Sequence, residues 1–193
     1  FDKANFQSLE NWWQQKFPWI SFKESKIIYN GINLKRFNIL KKIKNKKFNI
    51  SFVGRLEPEH NPELFIKLAS SPYLKNNNIK FHCFGDGPLK KIILNNQISF
   101  HGWAKPDKIY KITDIVIITS KLQNFPYVAL EAKSCGIPVI SCSKGDIKKI
   151  IFNNKDGFLF DSFDLEKMSK KILFIKKNYK FFSKNAKKYS KRF

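Results

Sequence analysis

A chain of 193 residues is long enough to bury one substantial core with extra pieces attached. It carries 37 basic residues against 15 acidic ones, a formal net charge of +22. No run of about 20 apolar residues and no signal-peptide pattern is present, which argues against a chain that spans a membrane. Only Arg36, Arg55 and Arg192 are arginine, so the charge is a lysine charge, and Lys, Asn, Ile and Phe are abundant together. That mixture fits a genome biased towards A and T as readily as a nucleic-acid binder. Neither paired zinc ligands nor an aromatic RNP sequence appears, so nucleic acid is not an expected partner. Attraction to anionic groups follows from the charge itself. Cys83, Cys135 and Cys142 lie in apolar surroundings without metal-like pairing, which suits buried thiols in a reducing cytoplasm and indicates no metal site.

The first residue is Phe rather than Met, as in a fragment or a processed product. Residues 1–25 are helical in pattern and aromatic, with Trp12, Trp13, Phe17 and Trp19, and read as the tail of something larger. Residues 26–46, with the turn pair Asn30-Gly31, read as a linker. Residues 47–164 read as the folded unit. There, short apolar runs alternate with helical patterns: a strand over Phe48–Gly54, a helix over Asn61–Ser70, a strand over Ile79–Gly85, a helix over Pro88–Asn95 and a strand over Ile98–Gly102. A helix over Pro106–Thr113, a strand over Asp114–Ser120, a helix from Pro126 to Cys135, a strand over Ile137–Ser143, a helix over Asp146–Asn153 and a strand over Gly157–Phe160 complete it. This alternation predicts an α/β fold with a doubly wound parallel sheet. Ligands of such sheets sit beyond the carboxyl ends of the strands, where Gly54, Gly85, Gly87, Gly102, Ser120 and Ser143 fall. Beyond Asp164 the apolar positions step three then four from Leu165 to Phe193, which predicts one continuous basic amphipathic helix. Such a helix packs on its own domain or a neighbour, or lies on an anionic membrane surface.

The segment QNFPYVALEAKSCGIP, Gln123–Pro138, carries the sharpest chemical signal. Pro126 fits the first turn of a helix and Gly136 the position just past its end. The amino end leaves free N–H groups and a positive dipole end, a ready place for phosphate beyond Asn124 and Phe125. Glu131 sits mid-helix, where a carboxylate can accept hydrogen bonds from sugar hydroxyls. A plain solvated helix residue is the alternative.

Taken in order, the motifs IIYNGINLKRF, SFVGRLEPEHNPELFIKLA, FHCFGDGPL, ISFHGW, DIVIITS, NFPYVALEAKSCGIPVIS and DGFLF make the chain resemble the carboxyl-terminal, nucleotide-sugar-binding domain of GT-B glycosyltransferases of glycosyltransferase family four. The likeness runs from about Ile27 to Asp161. It implies the Rossmann-like carboxyl-terminal half of a GT-B fold followed by a long helical segment. It also implies a retaining, metal-independent enzyme that moves a sugar from a nucleoside diphosphate carrier, UDP before GDP, to a glycan or lipid-linked acceptor. No cofactor is implied beyond that nucleotide-sugar substrate.

By the same resemblance Arg55 neutralises the diphosphate, Glu131 binds the ribose, Gly54 lets the backbone approach the ligand, and the backbone at Phe125, Pro126, Tyr127 and Val128 faces the phosphates, with Asn124 beside it. Arginine suits its part because it stays charged and presents a planar fork. Two positions depart from the family. His60 stands where a lysine is usual, and Gln123 where an acidic residue contacts the transferred sugar. The resemblance assigns Arg55, His60 and Gln123 to the catalytic set. The departures open a second reading, a degenerate module that binds a nucleotide sugar or a partner without transfer. His82 and His101, beside strand ends, read as structural. The expected partners are the sugar donor, the acceptor, an amino-terminal domain and an anionic membrane surface; the expected place is the cytoplasm and the cytoplasmic face of the inner membrane, in surface-polysaccharide or lipopolysaccharide assembly.

Overall fold

The structure is a computed structural model, and it describes residues 15–19, 31–38, 43, 46–121 and 125–193. Most of the aromatic amino-terminal tail, including Trp12 and Trp13, lies outside the described residues. In chain order the elements are α1 (Leu34–Asn38), β1 (Phe48–Val53), a 3-10 turn (Pro58–His60), α2 (Pro62–Ala69), a second 3-10 turn (Pro72–Leu74) and β2 (Ile79–Phe84). Then follow α3 (Lys90–Leu94), β3 (Ser99–Phe100), α4 (Pro106–Ile112), β4 (Ile115–Ile118), α5 (Tyr127–Ser134) and β5 (Val139–Cys142). The described chain closes with α6 (Ile147–Ile150), β6 (Gly157–Phe160), α7 (Leu165–Lys177) and α8 (Tyr179–Ser190).

The six strands form one parallel sheet ordered β3-β2-β1-β4-β5-β6. It is the doubly wound sheet that the alternation of runs predicts. Strand order reverses between β1 and β4, which places the switch point beside the loops after Val53 and Ile118. Each face has its own apolar core. Ile50, Phe52, Phe81, Cys83, Ile115 and Ile117 pack against α2, α3 and α7. Phe84, Val116, Ile118 and Val139 pack against α4, α5 and α6. The alternation along β1 sorts its side chains to the two faces, as a period of two requires.

On the second face β1 presents buried polar groups, and each is bonded. Ser51 donates to Thr113 Oγ1 at 2.7 Å, and that hydroxyl donates to Ile109 O at 2.7 Å. Asn49 Oδ1 accepts from His82 Nε2 at 3.0 Å, and the backbone N–H of Asn49 donates to Asp114 Oδ2 at 2.7 Å. With its Nε2 proton committed, the neutral ring of His82 accepts at Nδ1 from His101 Nε2, 2.9 Å away. His82 is thus held inside the fold, whereas His101, which bonds to it, is exposed. Burial, then the nearby His101 and Lys80, pushes His82 down to about 4, opposed by Asp114. The sign of the linkage follows: the unfolded imidazole binds protons from pH 6.5 downwards while the folded one resists until about 4, so stability present above 6.5 is lost as pH falls through that window. The loss should reach roughly 3 kcal/mol. Urea unfolding of wild type and His82→Gln between pH 7 and 4 checks this; the variant should be weaker at pH 7 but show a flatter profile.

The carboxyl-terminal segment differs from its prediction. It is two helices rather than one, and the break is at Asn178. Asparagine is a poor helix residue, and here its side-chain amide donates to Phe174 O at 2.9 Å, competing with the helical ladder. Asp164 caps α7 by accepting from the N–H of Lys167 at 2.9 Å. The apolar stripe is spent on the domain itself: Met168, Ile172, Ile175, Phe182 and Ala186 are completely buried. It is therefore not the stripe that a membrane would meet. Among the described residues no helix is long and apolar enough to cross a membrane.

Candidate functional site at the carboxyl ends of β1 and β4

The loop leaving β1 is fixed on both sides. Gly54 N–H donates to Phe84 O at 3.0 Å, Leu56 N–H to Asp86 O at 2.9 Å, and Leu89 N–H to Leu56 O at 3.0 Å. Leu56 is fully buried and acts as the loop's anchor. Farther along, Thr119 Oγ1 donates to His60 O at 2.6 Å and Lys121 N–H donates to Glu59 O at 3.1 Å. The 3-10 turn is thereby tied to the end of β4. The glycines of Gly85-Asp86-Gly87, weak as a sequence motif, serve this packing. A Cβ at Gly85, where φ is +134°, would stand 1.8 Å from Gly54 O. A Cβ at Gly54 would meet only the Phe52 ring at 3.7 Å. That is ordinary van der Waals contact, so the conformation at Gly54 does not itself require glycine.

Arg55 projects from this fixed loop with its side chain 72 % exposed and pairs with Glu57 at 3.1 Å. An exposed pair of this kind contributes about 0–1 kcal/mol, so the guanidinium can exchange Glu57 for a phosphate at little cost. His60 faces inward by contrast, with Nδ1 3.0 Å from Ser120 Oγ. Burial and then the charge of Arg55 hold its ring below 6.5, against the smaller opposing pull of Glu57 and Glu59. Both effects favour its uncharged form. The position at which a second cation is usual therefore supplies a hydrogen-bonding ring instead.

Helix α5 begins at Tyr127, with Pro126 one position outside it as the N-cap, rather than at Pro126 as predicted. The difference is physical: Pro126 adopts φ −72° and ψ 120°, an extended entry, and lacks an N–H to offer a ligand. No side chain among the described residues caps this end. First-turn amides of a helix have no partner one turn back, so those of Tyr127 and Val128 carry the positive end of the dipole. Gly136, with φ +72°, turns the chain at the other end as expected. Gln123 and Asn124 lie outside the described residues.

Glu131 is not a plain solvated carboxylate. It is half-buried, and its Oε2 accepts from the Tyr110 hydroxyl at 2.7 Å. Tyr110 belongs to α4, is fully buried, and packs edge-on against Phe37 of α1 at 6.2 Å. Burial raises the Glu131 carboxyl above its ordinary range, while the Tyr110 hydroxyl and the nearby Arg36 pull it back. Three elements thus hold one carboxylate. Neither Tyr110 nor Arg36 could be singled out in the sequence, because their relation to Glu131 exists only when α1, α4 and α5 meet. Two residues on, Lys133 points the other way into the core. It pairs with Asp156 at 2.8 Å, donates to Ile150 O and lies 5.1 Å from the centre of the Phe152 ring.

A cavity of about 410 Å³ opens beside the ends of β2 and β3, lined by Phe84, His101, Trp103, Lys105, Lys108 and Ile112. His101 stacks on Phe84 with ring centres 4.4 Å apart, and Trp103 is 77 % exposed at the rim. Among the described residues no group of three or more His, Cys, Asp and Glu side chains is placed to hold a metal ion.

A parallel sheet in this order, with loops gathered at its switch point and a helix amino end beside them, is the Rossmann-like architecture of GT-B glycosyltransferase structures. The sequence model of the family described as glycosyl transferases group 1 matches residues 35–193, and the chain belongs to that family. It is 30% identical over 155 residues to an uncharacterized glycosyltransferase of Methanocaldococcus jannaschii, covering 68% of this chain and 40% of that protein. To the Escherichia coli UDP-Gal:alpha-D-GlcNAc-diphosphoundecaprenol alpha-1,3-galactosyltransferase it is 29% identical over 164 residues, 72% of this chain and 42% of that enzyme. Its fold matches Anabaena HepE, solved with UDP-glucose, with a TM-score of 0.72 at 19% identity, over 86% of this chain and 52% of HepE. The chain spans less than half the length of those two sequence relatives.

Proposed function

We propose that this chain is the donor-binding half of a retaining, metal-independent glycosyltransferase of family four. In this reading it takes a nucleoside diphosphate sugar, UDP before GDP, and works with an amino-terminal domain that carries a glycan or lipid-linked acceptor. Assembly of surface polysaccharide or lipopolysaccharide at the cytoplasmic face of a membrane belongs to the same reading. The observation that carries it is Glu131: a half-buried carboxylate, oriented by Tyr110 through one oxygen, with the other oxygen left to accept from ribose hydroxyls. The side-chain-free backbone at Gly54, the exchangeable Arg55 and the uncapped start of α5 are suited to the diphosphate. The cavity beside Trp103 is suited to the base. The E. coli relative uses a UDP-sugar and HepE binds UDP-glucose, which favours uridine.

Calorimetric titration with UDP, GDP and ADP tests the reading. One nucleotide should bind. Glu131→Ala should weaken that binding by about a hundredfold and Tyr110→Phe by about tenfold, the losses expected of a charge-assisted bond and of its orienting partner. A folded chain that binds none of the three, or binds one equally well as Glu131→Ala, would refute the reading. His60, turned inward onto Ser120 where the resemblance expects a lysine, favours a second reading, a degenerate module that binds without transfer. Combining His60→Lys with Gln123→Glu in the complete protein separates the two: activity that appears only in the double variant identifies a degenerate relative.

A further inference from the structure

The charge of this chain is unevenly placed. Lys167–Phe193 holds ten lysines and one arginine and not a single acidic side chain. Once the apolar stripe of α7 and α8 is buried, Lys170, Phe174 and Lys177 of α7 and Lys180, Phe181 and Lys184 of α8 remain exposed. Two of these are aromatic. Phe174 is 50 % exposed and Phe181 55 %, and both rings rest against the buried ring of Phe182, at 5.9 and 5.3 Å. They therefore form one patch across the break at Asn178. The Lys171 ammonium lies 4.6 Å from the Phe158 ring centre and 5.8 Å from that of Phe174, so positive charge borders the patch directly.

The nearest carboxylate on these helices, Glu166, is already engaged by Lys170 at 2.6 Å and Tyr73 at 3.2 Å. Among the described residues Lys171, Lys177, Lys180 and Lys184 form no ion pair. A single exposed apolar side chain is ordinary on a protein surface. Two adjacent ones, held on a buried base within a field of unpaired lysines, have the make-up of a face that rests on an anionic bilayer. The rings enter the headgroup boundary, and the lysine stems lie along them with their ammonium groups at the phosphates.

We propose that the face formed by Phe174, Lys177, Lys180, Phe181 and Lys184, at the junction of α7 and α8, docks the protein on anionic phospholipid membranes. This deepens the membrane part of the reading above by naming the surface and its lipid chemistry. It replaces the buried stripe, which the sequence pattern suggested, with the opposite side of the same helices.

Because the whole chain is basic, the test must separate this face from net charge. The chain is sedimented with vesicles of phosphatidylcholine alone and of phosphatidylcholine with about 30 % phosphatidylglycerol, at low and raised salt. Wild type should bind the anionic vesicles only and be released by salt. Phe181→Ser should weaken binding by about tenfold through lost insertion. The triple variant Lys177→Glu/Lys180→Glu/Lys184→Glu should weaken it by about a hundredfold or more. A charge-matched triple on other helices, Lys67→Glu/Lys91→Glu/Lys148→Glu, should weaken it by about threefold at most. Equal loss in the two triples, an unaltered Phe181→Ser, or no binding by wild type would overturn the proposal. So would preferential binding of single-stranded RNA over the anionic vesicles. Nucleotide titration of the same variants keeps the two readings apart: vesicle binding in a chain that takes no nucleotide refutes only the donor reading, and the reverse refutes only this one.

Discussion

Replacing Gly85 by alanine should leave little folded protein. The new Cβ would stand 1.8 Å from Gly54 O at a backbone φ of +134°, and the obstacle is a backbone carbonyl of the adjoining strand end, which has no rotamer to change. The loop carrying Arg55 would have to leave its hydrogen bonds to Phe84 and Asp86 to relieve the clash. We expect a loss of about 4 kcal/mol or more, the range reserved for strain at a special backbone position. Soluble yield and urea midpoints read it directly. Gly54→Ala is the informative contrast. Its Cβ meets only the Phe52 ring at 3.7 Å, so stability should hold to within about 1 kcal/mol while affinity for the bound nucleotide falls by about tenfold. Unchanged affinity in Gly54→Ala would mean that the ligand does not approach the backbone there.

The second large effect is expected at Lys133. Its ammonium and the Asp156 carboxylate are both completely removed from solvent, and burial lowers the lysine pKa and raises that of the aspartate. Lys133→Met keeps the length of the side chain but strands Asp156 without its cation. A loss of about 3–5 kcal/mol is expected. Adding Asp156→Asn should restore most of it, because the amide oxygen can still accept from the Phe152 N–H, which Asp156 Oδ1 meets at 2.9 Å. Urea unfolding of the single and double variants at pH 7 measures the difference. A single variant as stable as wild type would show that the buried pair contributes nothing net. The pair also bears on the site. Helix α5 carries Glu131 on one side and Lys133 on another, so a fixed Lys133 fixes the rotation that presents Glu131 to Tyr110.

The strands, their parallel arrangement and the gathering of turns at the switch point were legible in the order of short apolar runs, because a strand buried on both faces is itself a continuous apolar segment. The helix over Tyr127–Ser134 was legible from its proline and glycine to within one residue. The carboxyl-terminal periodicity showed which residues face inward but not what they face. A three-and-four stripe reads the same against a sheet, a partner or a lipid surface, and it continues unaltered through the break at Asn178.

What the sequence determined by itself is therefore local and periodic: the α/β alternation, the glycine at the exit of β1, the arginine that follows it and the carboxylate one turn into α5. What the tertiary structure alone decided is which of these groups is held, and by what. Tyr110 is 21 residues from Glu131 in the chain, Ser120 is 60 from His60, and Asp156 is 23 from Lys133. Burial and charge partnership arise from packing between elements and leave no trace in the spacing of residues within one of them. The inward-facing ring of His60, the oriented carboxylate of Glu131 and the exposed pair of phenylalanines beside unpaired lysines all come from that packing.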